Sequence, residues 1–175
     1  MNFGEIKNCD IANGLGCRVS LFVSGCTHHC KGCFNAQTWD FNFGEKFTEK
    51  TENYILDLLK PSYIRGLSLL GGEPFEPENQ KVLLPFLKKV KSLFPDKTVW
   101  CYSGYLFEEI VGEKKARCTT DISKEMLSLI DVLVDGRFIE SQKDIRLKFR
   151  GSSNQRIINV QNSLKDGKIV DFEIK

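Results

Sequence analysis

Apolar and polar positions along the chain alternate between a two-residue and a three-to-four-residue period. Arg18–Val23 (RVSLFV) is β-rich and runs into Ser24-Gly25, which predicts a strand opening into a loop. Thr51–Lys60 places Ile55, Leu58 and Leu59 on one helical face and stops before Pro61. Leu67–Leu70 is a short apolar run closed by Gly71-Gly72, the pattern of a buried strand. Val82, Leu83, Phe86, Leu87, Val90 and Phe94 form a second helical stripe, in which Pro85 predicts a kink or two shorter helices. Thr98–Tyr102 and Val132–Asp135 read as strands closed by Ser103-Gly104 and Gly136, and between them Ser123 caps a helix that buries Met126, Leu127 and Ile130. Arg156–Val160 is one more strand. Asp166-Gly167, between Leu164 and Ile169-Val170, predicts a terminal hairpin.

This alternation predicts an α/β fold built from βαβ units on a mainly parallel sheet. With only about five or six strands against the eight of a closed barrel, the expected form is a partial, open βα barrel. No repeat, linker or low-complexity tract divides the chain, so residues 1–175 read as a single domain. In such sheets ligands bind at the carboxyl ends of the strands. The loops after Val23, Leu70, Tyr102 and Asp135 should therefore share one rim.

Composition narrows the function. The net charge of +2 is too close to balance to suggest nucleic acid or a membrane surface as a partner. No apolar run approaches the ~18 residues of a membrane span, and the N-terminus shows no secretion signal, so a cytoplasmic location is expected. Seven cysteines are many for 175 residues, and the odd number does not suit a disulfide framework. Thiolates on a metal, with some buried bystanders, fit better.

Cys26, Cys30 and Cys33 stand three and then two residues apart in GCTHHCKGCF, so one short loop can present three thiolates. Structural zinc takes four ligands, and an electron-transfer cluster is held by four cysteines. Three cysteines on a 4Fe-4S cluster leave one iron open to a substrate. The alternative is a zinc knuckle completed by His28 or His29, although both lie inside the loop, where reaching the same metal would be strained. Cys9, Cys17, Cys101 and Cys118 lack ligand spacing and read as small buried hydrophobes.

The three-cysteine spacing resembles that of radical S-adenosylmethionine enzymes. Further stretches are similar to one branch of them, the activating proteins of anaerobic ribonucleoside-triphosphate reductase. These are Asn13–Arg18 (NGLGCR), Leu21–Cys26 (LFVSGC), Cys33-Phe34-Asn35 through Thr38-Trp39, Gly71–Pro74 (GGEP), Tyr102–Tyr105 (YSGY), Val132–Phe138 (VLVDGRF) and Arg150–Gln155 (RGSSNQ). Leu15 departs from the proline usual between the two glycines.

The resemblance implies an open barrel of the radical S-adenosylmethionine type, with Cys26, Cys30 and Cys33 as cluster ligands. It also implies that S-adenosyl-L-methionine lies against Gly32, Cys33 and Phe34 through its adenine, with its methionine amino group near Gly72. Taken alone, Gly71-Gly72 suits an ordinary turn equally well, and Phe34 a core position. Arg137 could pair with the methionine carboxylate, while a surface ion pair involving Asp135 or Arg137 is as good a reading. Tyr102, Ser103 and Gly104 would line the ribose. Trp39 reads as packing, and Lys88, Lys89 and Lys91 as the solvated face of a helix.

The implied activity is reductive cleavage of S-adenosylmethionine to a 5′-deoxyadenosyl radical, which places a glycyl radical on the large subunit of the reductase. No side chain serves as general acid or base in that scheme. An electron donor such as reduced flavodoxin is implied. Two alternatives stand beside it: an activase of another glycyl-radical enzyme of the pyruvate formate-lyase type, and a zinc-holding adaptor without catalysis.

Overall fold

A computed structural model describes residues 1–174. A seven-stranded sheet has the order β3-β1-β2-β4-β5-β6-β7. Its strands are β1 (Asn2–Asp10), β2 (Cys17–Val23), β3 (Glu45–Lys46), β4 (Ile64–Gly71), β5 (Thr98–Tyr102), β6 (Val132–Asp135) and β7 (Arg156–Asn159). The four central strands β2, β4, β5 and β6 run parallel. At the flanks β1 lies antiparallel to β2 and β3, and β7 antiparallel to β6. The parallel centre agrees with the βαβ reading; the antiparallel edges come from β1 and β7.

Alternation along the central strands divides the molecule into two faces. Val19, Leu21 and Val23 of β2, Leu67 and Leu69 of β4, Val99 and Cys101 of β5 and Leu133 of β6 point into one large core. There they meet Ile55 and Leu59 of α1 (Glu49–Leu59), Leu83, Phe86 and Leu87 of α2 (Pro77–Leu93), and Ile110 of α3 (Phe107–Ile110). Met126 of α4 (Ser123–Ser128) and Val160 of α5 (Val160–Asp166) complete it. On the other face Trp100, Val132, Val134 and Ile157 form only a small cluster with Leu15, Phe149 and Phe172 around them. Phe22, Leu70 and Tyr102 on this face line a cavity instead. Period-2 burial thus gives helices to one side of the sheet and leaves the other side open to a ligand.

Local details differ from the sequence reading in several places. Ser123 does not cap α4: it is the first helical residue behind Ile122, and its hydroxyl donates to Ile110 O at 2.9 Å and Thr120 O at 3.0 Å. Pro85 sits on the exposed side of a single helix α2 and neither splits it nor ends it. β1 had no counterpart among the predicted strands. The terminal hairpin is a helix: Asn159 caps α5 by accepting the Asn162 N–H at 3.1 Å, and Gly167 closes it in the left-handed region at φ 64°. Cys9 and Cys17 are not free bystanders. They are joined by a disulfide across the β1–β2 connection, with a Cα–Cα distance of 5.3 Å. No helix among the described residues is long and apolar enough to cross a membrane.

Candidate functional site

The loops after β2, β4, β5 and β6 meet at one rim, as the parallel centre of the sheet requires. Together with the sheet face below them they enclose a cavity of about 460 Å³. Its wall includes Cys26, Cys30 and Cys33, together with Gly72, Tyr102 and Gly136 at the carboxyl ends of β4, β5 and β6. All three thiols are free, as are those of Cys101 and Cys118, which are buried in the helix-side core.

Backbone bonds fold the cysteine loop over the end of β4. The Gly25 N–H donates to Thr38 O at 2.8 Å and the Cys26 N–H to Trp39 O at 3.1 Å. The Gly72 N–H donates to Val23 O at 2.7 Å, and that of Glu73 to Gly25 O at 2.8 Å. A Cβ at Gly72 would lie 2.6 Å from Gly25 O and 3.0 Å from Thr38 O, so no side chain fits there. Gly72 is required by this close approach of three backbone segments at the cavity wall. Farther along the loop, the Cys33 N–H donates to Cys30 O at 3.1 Å, which turns both thiols toward the same space.

The three spacer residues between Cys26 and Cys30 are each held. The Thr27 N–H and hydroxyl donate to Glu76 Oε1 at 2.8 and 2.5 Å. His28 Nε2 meets Glu73 Oε2 at 3.1 Å, and its ring packs edge-on against Tyr105. His29 stacks on Trp39, with ring centroids 4.6 Å apart. Both histidines therefore have partners other than a metal. Among the described residues no three His, Cys, Asp or Glu side chains converge on a point that would hold a single ion. The thiols instead border a space large enough for a bulkier group.

Glu73, which a sequence reading centred on the two glycines overlooks, organises the rim. Its Oε1 accepts the Phe75 N–H at 2.8 Å and the Ser103 hydroxyl at 2.9 Å; its Oε2 accepts the Gly104 N–H at 2.7 Å as well as facing His28. One buried carboxylate thereby ties together the loops after β2, β4 and β5. The sequence carried no signal for it, because its partners His28, Ser103 and Gly104 lie on loops far apart in the chain.

Electrostatics at the thiols follow from burial. Desolvation, followed by the charge of Glu73, pushes the Cys26 thiol up to about 12, with Glu76 adding to the rise. Cys30 is also raised by burial, opposed by the Phe138 backbone N–H and by the nearby Arg137 guanidinium. A group that binds these sulfurs must displace their protons.

Other sequence-predicted positions fall as follows. Phe34 lines the cavity but is 62% exposed, tilted against Phe138 at 5.4 Å with the Lys143 ammonium 4.9 Å from its ring. It is a surface at the mouth and not a core residue. Gly32 has φ 73° and lies close to the Glu140 side chain; it is not among the residues lining the cavity. Ser103 and Gly104 border the cavity. Asp135 is fully buried and does not face it: Arg156 Nε donates to Oδ1 at 2.9 Å, and the Phe107 N–H to Oδ2 at 2.8 Å. Arg137 is exposed, and its carbonyl accepts from Asn154 Nδ2 at 2.9 Å. Leu15, in place of a proline, packs beside Trp100 and offers its carbonyl to Arg18 at 3.3 Å. The RGSSNQ segment shapes the mouth through Gln155, whose Oε1 accepts the Gly151 and Ser152 N–H groups and whose Nε2 donates to Gly136 O.

Comparison with known proteins identifies the family. The sequence profile of a family described as "4Fe-4S single cluster domain" matches residues 12–158. The anaerobic ribonucleoside-triphosphate reductase-activating protein of Haemophilus influenzae is 44% identical over 159 residues, covering 90% of this chain and 97% of the relative. That of Pasteurella multocida is 45% identical, covering 90% and 96%. The protein of the same name from Enterobacteria phage T4 is 41% identical over 157 residues, covering 90% and 93%. With identity at this level across nearly the full length of both partners, and with three free cysteines at one cavity wall, the chain belongs to the 4Fe-4S single cluster domain family and, within it, to the anaerobic ribonucleoside-triphosphate reductase-activating proteins.

Proposed function

We propose that this protein activates an anaerobic ribonucleoside-triphosphate reductase, using S-adenosylmethionine at a 4Fe-4S cluster held by Cys26, Cys30 and Cys33. The observation that carries this reading is the set of three free thiols on the wall of one cavity, with both loop histidines engaged elsewhere. Cys26, Cys30 and Cys33 would hold the cluster, which would supply the electron for reductive cleavage of S-adenosylmethionine and so the radical chemistry that activates a glycine of the reductase's large subunit.

The chain's own residues bind, orient and exclude. Gly72, which carries no side chain because its Cβ position is taken by the Gly25 and Thr38 backbone, would offer its own backbone to the ligand's amino group. The exposed ring of Phe34 offers a flat apolar surface to the adenine. Gly32, by its positive φ, lets the loop turn between Cys30 and Cys33 and so serves the adenine indirectly. Tyr102 lines the cavity, while its hydroxyl is buried and has no protein partner. The sheet that carries these loops is read as the open barrel of radical S-adenosylmethionine enzymes, spanning a single domain. Reduced flavodoxin is a suitable electron donor, and the cytoplasm a suitable location.

The test is direct. Mixing this protein with the large reductase subunit, a reductant and S-adenosylmethionine without oxygen should produce a glycyl-radical resonance. A loaded cluster with no such resonance would reject the activating role.

A further inference from the structure

We infer that Glu76 is a positioning residue of the cysteine loop: its buried carboxylate holds the chain between Cys26 and Cys30 through Thr27 and links that chain to the surface through Arg117. The inference rests on the reading of Cys26, Cys30 and Cys33 as cluster ligands and extends it to residues that touch neither cluster nor substrate.

Glu76 has no exposed surface. Its two oxygens are divided between two tasks. Oε1 accepts both donors of Thr27, the N–H at 2.8 Å and the hydroxyl at 2.5 Å. Oε2 accepts from Arg117 Nε at 2.7 Å, and the same guanidinium reaches both oxygens of Glu78 at 3.1 and 3.2 Å. Arg117 is 48% exposed, so a charge at the protein surface is bonded to a carboxylate that is itself bonded inside the cysteine loop.

The seat of Glu76 is rigid. It stands immediately before α2, donates its own N–H to Glu73 O at 3.1 Å, and accepts the Asn79 and Gln80 N–H groups at 2.9 Å each. Asn79 and Gln80 are also fully buried; Asn79 Nδ2 donates to Ser24 O at 3.0 Å and Gln80 Nε2 to Cys118 O at 2.8 Å. The first turn of α2 is thus a polar block that grips the cysteine loop on one side and the Arg117–Cys118 segment on the other. A buried carboxylate in such a place is stable only while its partners remain, because an unpaired charge there is costly. Its bonds are charge-assisted and short, which fixes direction as well as distance. With three residues separating Cys26 from Cys30, fixing Thr27 limits where the second thiol can lie.

The same layout places a negative charge beside the loop and a positive charge behind it. Removing them singly should therefore move the cluster's reduction potential in opposite directions, a response that simple loss of packing would not give. Glu76→Gln keeps the volume and an acceptor for Thr27 but removes the negative charge. Arg117→Gln removes the positive charge and keeps an N–H donor for the carboxylate. Glu76→Ala removes the grip altogether.

The experiment is anaerobic redox titration of the cluster-loaded full chain, followed by its electron paramagnetic resonance, with iron release to a chelator as a second measurement. We expect a more positive midpoint for Glu76→Gln and a more negative one for Arg117→Gln, both with normal iron content. Glu76→Ala should lose iron about tenfold faster, in line with removal of an outer-shell partner of a metal ligand. If Glu76→Ala does not fold, the other two variants decide. Midpoints unchanged from the parent protein, or shifted in the same direction in both, would overturn the positioning role. Failure of the underlying reading looks different: the parent protein itself would then assemble no iron and acid-labile sulfide.

Discussion

Asp135 ends a strand at the rim where ligand-binding loops gather, yet its carboxylate turns away from the cavity into an ion pair. Arg156 reaches Asp135 through Nε and also through Nη2, and its guanidinium spans to both oxygens of Glu108 at 3.1 and 2.8 Å. From sequence, an acidic residue before Gly-Arg at a strand end suits a ligand contact as well as an internal pair; only the neighbour from β7 decides. Its physical consequence is a pH dependence. Hydrogen bonding from Arg156 draws Glu108 down from 4.5 to about 2. A depressed carboxyl contributes stability above its unfolded value, near 4.5, and the contribution is lost as pH falls through about 2. Glu108→Gln should therefore lower stability at pH 7 by about 1 kcal/mol after screening at this half-open position, and the gap from the parent should close as pH falls from about 5 to 2. Urea unfolding followed by circular dichroism across that range checks it. The cysteines allow a second test at this scale. Cys30→Ala should abolish assembly of iron and sulfide, whereas Cys118→Ala, in the helix-side core, should retain it; equal retention in both would refute the ligand assignment.

Among the elements, the central strands were legible because each buries both faces or alternates cleanly. Leu67–Leu70, Thr98–Tyr102 and Val132–Asp135 lie inside β4, β5 and β6. β1 was not legible for a physical reason. As a flanking strand it buries only Phe3 and Asp10, and register irregularities after Phe3 and after Lys7 break its alternation. At the other terminus the signals were present but fit two readings: Asp-Gly suits a tight hairpin turn, and glycine also closes a helix. Asn159, a capping residue seven positions ahead of Asp166, would have favoured the helix. The outcome can be tested at Gly167, whose φ of 64° is strained for any residue with a Cβ while the space around it is open. Gly167→Ala should cost about 1 kcal/mol, seen as a small fall in the urea midpoint. An unstructured terminus would show no such cost. At the candidate site, the three cysteines and the close-packed glycine were readable from spacing and from their place after strands. Glu73 and Glu76 were not, since their partners Ser103, His28, Thr27 and Arg117 come from loops far apart in sequence.

At the scale of the molecule, the fold places five helices against one face of the sheet among the described residues and leaves the other to the cavity. That open face is closed from below by the connection between β1 and β2. Ala12 and Asn13 of this connection line the cavity, Asn13 O accepts the Ser68 hydroxyl at 2.6 Å, and Asp10 accepts the Ala12 N–H at 2.8 Å. Arg18, buried next to it, donates to Ser68 Oγ, Leu67 O and Thr98 O at 2.8, 2.8 and 2.7 Å and so locks the floor to β4 and β5. The Cys9–Cys17 disulfide closes the same connection as a ring with a sequence separation of 8. A ring of that size restricts the unfolded chain by about 2–3 kcal/mol in the loop-entropy account. The double substitution Cys9→Ser with Cys17→Ser should therefore lower unfolding free energy by that amount, and mild reductant should lower the parent to the same level while leaving the double variant unchanged. Unfolding in urea, with and without a dithiol, measures both. Because the hydrogen bonds of Asp10, Asn13 and Arg18 survive the substitution, the floor should persist in the folded protein, and cluster content should match that of the parent. An equal urea midpoint for the two proteins without reductant would show that the crosslink adds no constraint and that these polar bonds alone hold the connection in place.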